Sequence, residues 1–220
     1  MSRTTVREAL RRLAAEGLIE NIPQQNAVVA VPTPKQAAEI YELRANLEGL
    51  MARKFVERGT ADEIQSLSEA LAGLEDAVRS EQAFDAKARS LLRGKTAFYQ
   101  CLFAGAHNET ARAVLNQFQA RVSALRFLSL VPEGRPESSV AELRRVVDAI
   151  VAGDADAAER ECREHVQAAA HSLFQVVQSV ADSDLASGGA LEGGDNPIQV
   201  AIQLWGGKAT ASGGDSGDAQ

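Results

Sequence analysis

The sequence is sparing with the residue types that most often announce chemistry. Its two cysteines, Cys101 and Cys162, lie far apart and form no metal-type spacing, so they read as small core residues. Aromatic residues make up only 5% of the chain, while alanine, leucine, arginine and glutamate abound. That balance favours helix over sheet. No apolar run approaches the roughly 20 residues of a membrane span. The N-terminus carries no apolar stretch of signal-peptide type, so the expected location is the cytoplasm, with no membrane partner. There is no Ser-His-Asp set, phosphate loop, HExxH or paired-carboxylate motif. The chain therefore does not read as an enzyme, and its acidic side chains read as solvated helix faces. No internal repeat of fixed period is present.

A basic excess is also missing. The net charge of −7 argues against a wholly basic nucleic-acid binder. The average hides an asymmetry. Residues 1–12 hold Arg3, Arg7, Arg11 and Arg12 against Glu8 alone, a local balance of +3. Residues 183–220 hold five acidic side chains against Lys208, a balance of −4. An acidic domain carrying a small basic reader fits this distribution.

What the chain does contain is helix pattern. Over residues 3–16, Val6, Ala9, Leu10 and Leu13 follow the i, i+3, i+4, i+7 rule; Ser2 caps the start and Gly17 ends the run. Two short strands, Leu18–Ile22 and Ala27–Val31, flank the turn Pro23-Gln24-Gln25-Asn26 and form a candidate hairpin. Pro32-Thr33-Pro34 then punctuates the chain, with Thr33 as N-cap and Pro34 at the first helical position. Six helices are expected from there: 34–57, 61–80 opened by a Thr60–Glu63 capping box, 82–106, 109–130 capped by Asn108, 137–152 and 155–182. Pro132, Gly134 and Pro136 mark the loop before the fifth. Nine of the 17 glycines fall in the last 38 residues, so 184–220 reads as a mostly disordered, Gly-rich acidic tail. Its one apolar stretch, Pro197–Trp205, is either a short docking helix or an unselected piece of tail.

Arg3, Arg7 and Arg11 are spaced i, i+4, i+8 and share one helical face, while Val6, Leu10 and Leu13 occupy another. Guanidinium groups in a row suit phosphates and the guanine edge in the major groove. Ser2, Thr4 and Thr5 add hydroxyls at the end where the helix dipole favours phosphate. An ordinary solvated face explains the same spacing. The run Ser2-Arg3-Thr4-Thr5-Val6-Arg7-Glu8-Ala9-Leu10-Arg11-Arg12-Leu13-Ala14-Ala15-Glu16-Gly17-Leu18-Ile19 resembles the recognition helix of GntR-family transcription regulators. The resemblance implies that Ser2, Arg3, Thr4, Thr5 and Arg7 face double-stranded operator DNA and that the hairpin is the wing of a winged helix-turn-helix. Two departures accompany it. The family carries two earlier helices that are not in this chain, so the winged helix is expected to be truncated. Gln24-Gln25-Asn26 stands where the family wing has a Gly-Arg-Gly tip.

The remaining helices resemble the effector-binding domain of the FadR-like branch, the FCD domain, over about Thr33–Val180. The markers are Tyr41 to Glu48, Phe98 to Asn108, Glu142 to Asp154, and Asp154 to His165. The implied fold is mainly α, an antiparallel bundle of six to seven helices that forms a homodimer. Many members hold a metal through Asp and His four apart, a His following a Glu, and a final His. Here those positions are Lys95, Tyr99, Leu143 after Glu142, and His165. Only His165 matches, so neither metal nor cofactor is expected. His107 and His171 do not fit the missing positions and read as surface or helix-end residues. Lys95 and Tyr99 share a face, and the family layout brings Arg44 near. An ammonium, a phenol and a guanidinium can hold a carboxylate directly, which makes Arg44, Lys95, Tyr99 and His165 the candidate site for a small organic acid. Lys95 facing solvent or paired with a glutamate is the alternative. The expected organisation is a partial DNA-binding segment at 1–31, a helical effector-binding and dimerisation domain at 32–183, and the tail at 184–220. The expected function is a repressor controlled by a carboxylate effector; a truncated, DNA-free sensing or dimerisation module is the alternative.

Overall fold

A computed structural model of the chain describes residues 19–20, 28–29, 31–81, 84–186, 196–198 and 200–202. The expected recognition helix, with Ser2, Arg3, Thr4, Thr5 and Arg7, lies outside the described residues. Of the expected hairpin, two-residue strands are described: β1, Ile19–Glu20, and β2, Val28–Val29. They pair antiparallel, with Ile19 opposite Val29 and Glu20 opposite Val28.

The rest of the described architecture is helical. The elements are α1 Pro34–Arg58, α2 Ala61–Arg79, α3 Phe84–Gly105, α4 Glu109–Gln117, α5 Gln119–Ser129, α6 Arg135–Val151 and α7 Ala155–Ala186. The starts are set locally. Thr33 Oγ1 accepts from Gln36 N at 3.2 Å while the Gln36 side chain accepts from Thr33 N at 2.9 Å. Thr60 and Glu63 form the same reciprocal box on α2, and Asn108 Oδ1 accepts from Ala111 N at 3.1 Å on α4. Each such cap contributes about 1 kcal/mol.

Three local expectations change. The single helix over 109–130 is two, broken at Phe118, whose N–H bonds the Leu115 carbonyl one residue short of the α-helical pattern. The break lets α4 and α5 serve different partners: Ala111 and Leu115 enter one apolar cluster, Val122, Leu125 and Leu128 another. Helix α6 starts at Arg135 rather than at 137, because Gly134 takes a left-handed turn (φ 71°) that directs the chain into it, and Pro136 sits in the first turn where its missing N–H costs nothing. The last helix continues past 182 to Ala186.

The two apolar clusters are stacked along the bundle. On α1, Ala37, Ile40, Tyr41 and Ala45 belong to one and Met51, Ala52 and Phe55 to the other. On α7, Ala158 and Cys162 belong to one and Val166, Ala169, Leu173 and Val176 to the other. Helices α1 and α7 pack along each other through both.

The expected disordered tail is also corrected in part. Ile198 and Ala201 are completely buried and complete the cluster formed by Ala37, Ile40, Val176 and Val180. The Asn196 side-chain amide donates to the Val31 and Pro32 carbonyls, 3.1 Å each, and its carbonyl accepts from Ile198 N at 3.1 Å. This segment clamps the chain immediately before α1 to the end of α7. Of the two readings left open for the stretch 197–205, the described residues Pro197, Ile198, Val200, Ala201 and Ile202 match the docking helix. Ile198→Ala should therefore lower the unfolding free energy by about 2–4 kcal/mol in urea titration. A loss below about 0.5 kcal/mol, the usual size for a surface change, would show that the segment does not pack in solution.

Candidate functional site

Between the two apolar clusters the bundle buries a layer of charge. Five helices contribute, each from one face: Arg44 and Glu48 from α1, Lys95 and Tyr99 from α3, Arg126 and Ser129 from α5, Arg135, Ser139 and Glu142 from α6, and His165 and Ser172 from α7. The spacings of three, four and seven are those that repeat on one helix face. Arg44, Glu48, Lys95, Arg126 and His165 are each at most 3% exposed.

The charges are partly matched. Arg44 Nε donates to Glu48 Oε1 at 2.7 Å. Arg135 grips Glu142 with both terminal nitrogens, at 2.6 and 2.9 Å. Glu142 Oε2, which accepts from Arg135 Nη2, also meets His165 Nδ1 at 2.7 Å. Arg126 has no carboxylate partner among the described residues; its guanidinium lies 4.1 Å from the centre of the Tyr99 ring. That stacking suits the planar cation. Arg44 sits similarly over Tyr41, at 4.9 Å. Three guanidiniums and one lysine thus face two carboxylates. The surplus is visible atom by atom: Arg44 Nη1, Arg126 Nε and Nη1, Arg135 Nε, Tyr99 OH and Ser139 Oγ are buried with no hydrogen-bond partner among the described residues. Nearly all buried polar groups in folded proteins are paired; six atoms on this one layer have no partner among the described residues, and every one is able to donate.

Proton affinities follow from this crowding. Burial, then the charges of Arg126, Arg135 and Arg44, hold the Lys95 ammonium well below its ordinary range. Burial, then the Lys95 charge, pushes His165 down to about 4, against the pull of Glu142. His165 is therefore neutral at pH 7 and its Nδ1–H donates to Glu142. Burial alone would raise Glu142, but the hydrogen bonds from His165 and Arg135 bring it down to about 2. Burial lifts the Tyr99 phenol well above its usual value, so it stays a donor.

All four residues expected at the effector site, Arg44, Lys95, Tyr99 and His165, are brought into this layer. The alternative placements of Lys95 do not occur: it is 2% exposed and, among the described residues, makes no ion pair with a glutamate. Arg126, Arg135, Glu48 and Glu142 complete the layer, and sequence reasoning gave none of them a ligand role. The signal available for Arg126 was a lone cation inside the apolar run Val122, Leu125, Leu128; for Arg135 it was the seven-residue step to Glu142. His107 closes α3 with φ 46° and pairs with Glu63 at 3.1 Å, and His171 is exposed on α7.

The donor set does not fit a divalent metal. His165 is the only imidazole in the layer among the described residues, its Nδ1 is taken by Glu142, and Lys95 with three guanidiniums surrounds it with positive charge. Among the described residues no three His, Cys, Asp or Glu side chains gather in a metal-binding group.

Comparison with known proteins places this architecture. The FCD domain model matches residues 39–168. A probable D-xylose utilization operon transcriptional repressor of Paenarthrobacter nicotinovorans is 30% identical over 168 residues, covering 76% of this chain and 71% of that protein. Among solved structures, Escherichia coli McbR/YncC aligns with a TM-score of 0.67 at 23% identity, over 80% of this chain and 86% of that one. A putative transcriptional regulator GntR from Rhodococcus sp. RHA1 aligns with a TM-score of 0.66 at 18% identity, over 80% and 81%. A helical bundle around a buried layer of charge, matched by the domain model over more than half its length, makes this chain a member of the GntR-type transcription regulators that carry an FCD domain, a family of regulators and not of enzymes.

Proposed function

We propose that the chain is a cytoplasmic, homodimeric transcription repressor whose hold on a DNA operator is controlled by a small organic acid bound, without metal, in the charged layer. The observation that carries the effector reading is the surplus of unpaired buried donors on Arg44, Arg126, Arg135, Tyr99 and Ser139. A carboxylate supplies two acceptor oxygens with about four lone-pair sites and one negative charge. It satisfies those donors and offsets the excess of cations in one step. Arg44 Nη1 and the Arg126 edge take the acid while Arg44 Nε keeps Glu48. Tyr99 donates its phenolic proton. Lys95 contributes its charge, and His165, neutral and held by Glu142, borders the site as a positioning residue.

The DNA reading rests on the resemblance of Ser2–Ile19 to a GntR recognition helix and on the curated relatives, which are regulators of the helix-turn-helix type. In this reading Ser2, Arg3, Thr4, Thr5 and Arg7 meet the DNA and the β1–β2 pair belongs to the wing.

Two outcomes test the two halves. A charged hydrogen bond in a buried site contributes roughly 1.5–3 kcal/mol. Lys95→Met should therefore weaken acid binding by about 10- to 100-fold in isothermal titration calorimetry. The sign of the pH dependence follows from linkage. Lys95 is depressed in the free protein, and a bound anion favours its charged form, so the complex holds more protons than its parts. Affinity should fall as pH rises through the range where free Lys95 has lost its proton and the complex has not. Titrations within that range in HEPES and in Tris, which differ in ionisation enthalpy, should give apparent enthalpies that differ by net proton uptake, and Lys95→Met should remove that difference. Stabilisation by neutral or cationic compounds alone would overturn the acid reading.

For DNA, fluorescence titration against a palindromic site from the gene's own promoter should show salt-sensitive binding. Arg3→Ala with Arg7→Ala should reduce the salt slope by about 1 for each phosphate that these arginines neutralise. Binding unaffected by the double change would move the reading to a sensing module that does not itself read DNA.

A further inference from the structure

An apolar cavity of about 170 Å³ lies between the first half of α3, the end of α5 and the first turn of α6. Leu91, Leu92, Phe127, Leu130, Val131 and Pro136 supply its larger apolar side chains, and Glu133 also lines it. The Lys87 ammonium and the Glu137 carboxylate, 3.7 Å apart and part-exposed, lie at its edge. Its place relative to the charged layer follows from the helices. Lys95 is four residues after Leu91 on α3, Arg126 four before Leu130, and Arg135 lies between Gly134 and Pro136. Each of these three buried cations thus stands about one helical turn or less, at most roughly 6 Å along the axis, from a residue that lines the cavity.

We propose that this cavity receives the body of the effector while the charged layer holds its acid group, so that the effector is an aryl or similarly compact apolar monocarboxylate. The proposal rests on the acid-effector reading above and narrows it. The volume suits one ring: an engineered apolar cavity of roughly 150 Å³ in another protein stays dry and takes benzene. The wall chemistry excludes the alternative body. A sugar acid would bring most of its hydroxyls against Leu91, Leu92 and Leu130, where they lose water, and only Lys87, Glu133 and Glu137 at the edge offer them charged partners. The Lys87–Glu137 pair is no barrier to entry, since an exposed pair at that distance holds weakly.

The test is calorimetric titration of the full chain with benzoate, acetate and gluconate. Burying one ring is worth about 10- to 100-fold in affinity, so benzoate should bind that much tighter than acetate, and gluconate no tighter than acetate. Ala88→Phe fills the cavity and should erase the preference for benzoate while acetate binding persists; Leu92→Trp fills it from another position should the first variant not fold. Equal binding of benzoate and acetate, tighter binding of gluconate, or a preference that survives the filled cavity overturns the cavity assignment and leaves the acid-effector reading standing. No binding of any of the three acids overturns the acid-effector reading and the cavity assignment with it, an outcome distinct from binding without the benzoate preference.

Discussion

The structure is organised around an energetic conflict: more positive than negative charge is buried between two apolar clusters. Removing an ion from water costs several kcal/mol even after relaxation. Arg44 with Glu48, and Arg135 with Glu142 and His165, recover part of that cost through short, well-aligned bonds. Arg126 has the face of the Tyr99 ring in place of a carboxylate. A layer of leucines in the same place would make a more stable bundle, because buried ion pairs rarely outdo well-packed apolar side chains. The bundle's stability therefore comes from the clusters on either side, around Phe55, Phe98 and Leu102 and around Leu125, Val166 and Leu173. On the reading proposed above, the layer serves recognition rather than stability. Its unpaired donors are what a ligand adds to, which is why binding and stability are expected to rise together.

Much of this was legible in the sequence, and the reasons differ by level. Helix starts were legible because a cap is local: Thr33 with Gln36, Thr60 with Glu63 and Asn108 each carry their own signal within four residues. The break at Phe118 carries none, because no proline or glycine marks it and the apolar period runs through; the cause is which cluster each half faces. The start of α6 depends on a left-handed Gly134, and a glycine between two prolines reads equally well as loop. The docked segment at Asn196 and Ile198 depends on hydrogen bonds to Val31 and Pro32, at the opposite end of the helical domain, which no local pattern reports. At the site, Lys95, Tyr99, Arg44 and His165 came from resemblance, whereas Arg126 and Arg135 carry only the weak signals of a cation inside an apolar run and a seven-residue step to Glu142, which many solvated arginines share. Only burial separates them, and burial is a property of the fold.

The same arrangement ties the layer to the start of the bundle. Helix α1 is unbroken from Pro34 to Arg58, so Arg44 stands roughly 15 Å from the helix start on one rigid rod. Between them, Tyr41, Ile40 and Ala37 face the second apolar cluster, and the Arg44 guanidinium rests over the Tyr41 ring. The chain just before the rod is held as firmly. Val31 packs partly into that cluster, and Asn196 binds the carbonyls of Val31 and Pro32. A displacement of Arg44 is therefore not absorbed by a slack joint at residue 31. Close-packed interiors transmit such shifts because they have no voids in which to dissipate them. On the proposed reading, an anion that drew Arg44 toward Arg126 would act on the end of a lever whose far end is the junction with the segment holding β1 and β2. Such an anion would need to do nothing more elaborate than pair with guanidiniums that are otherwise in surplus.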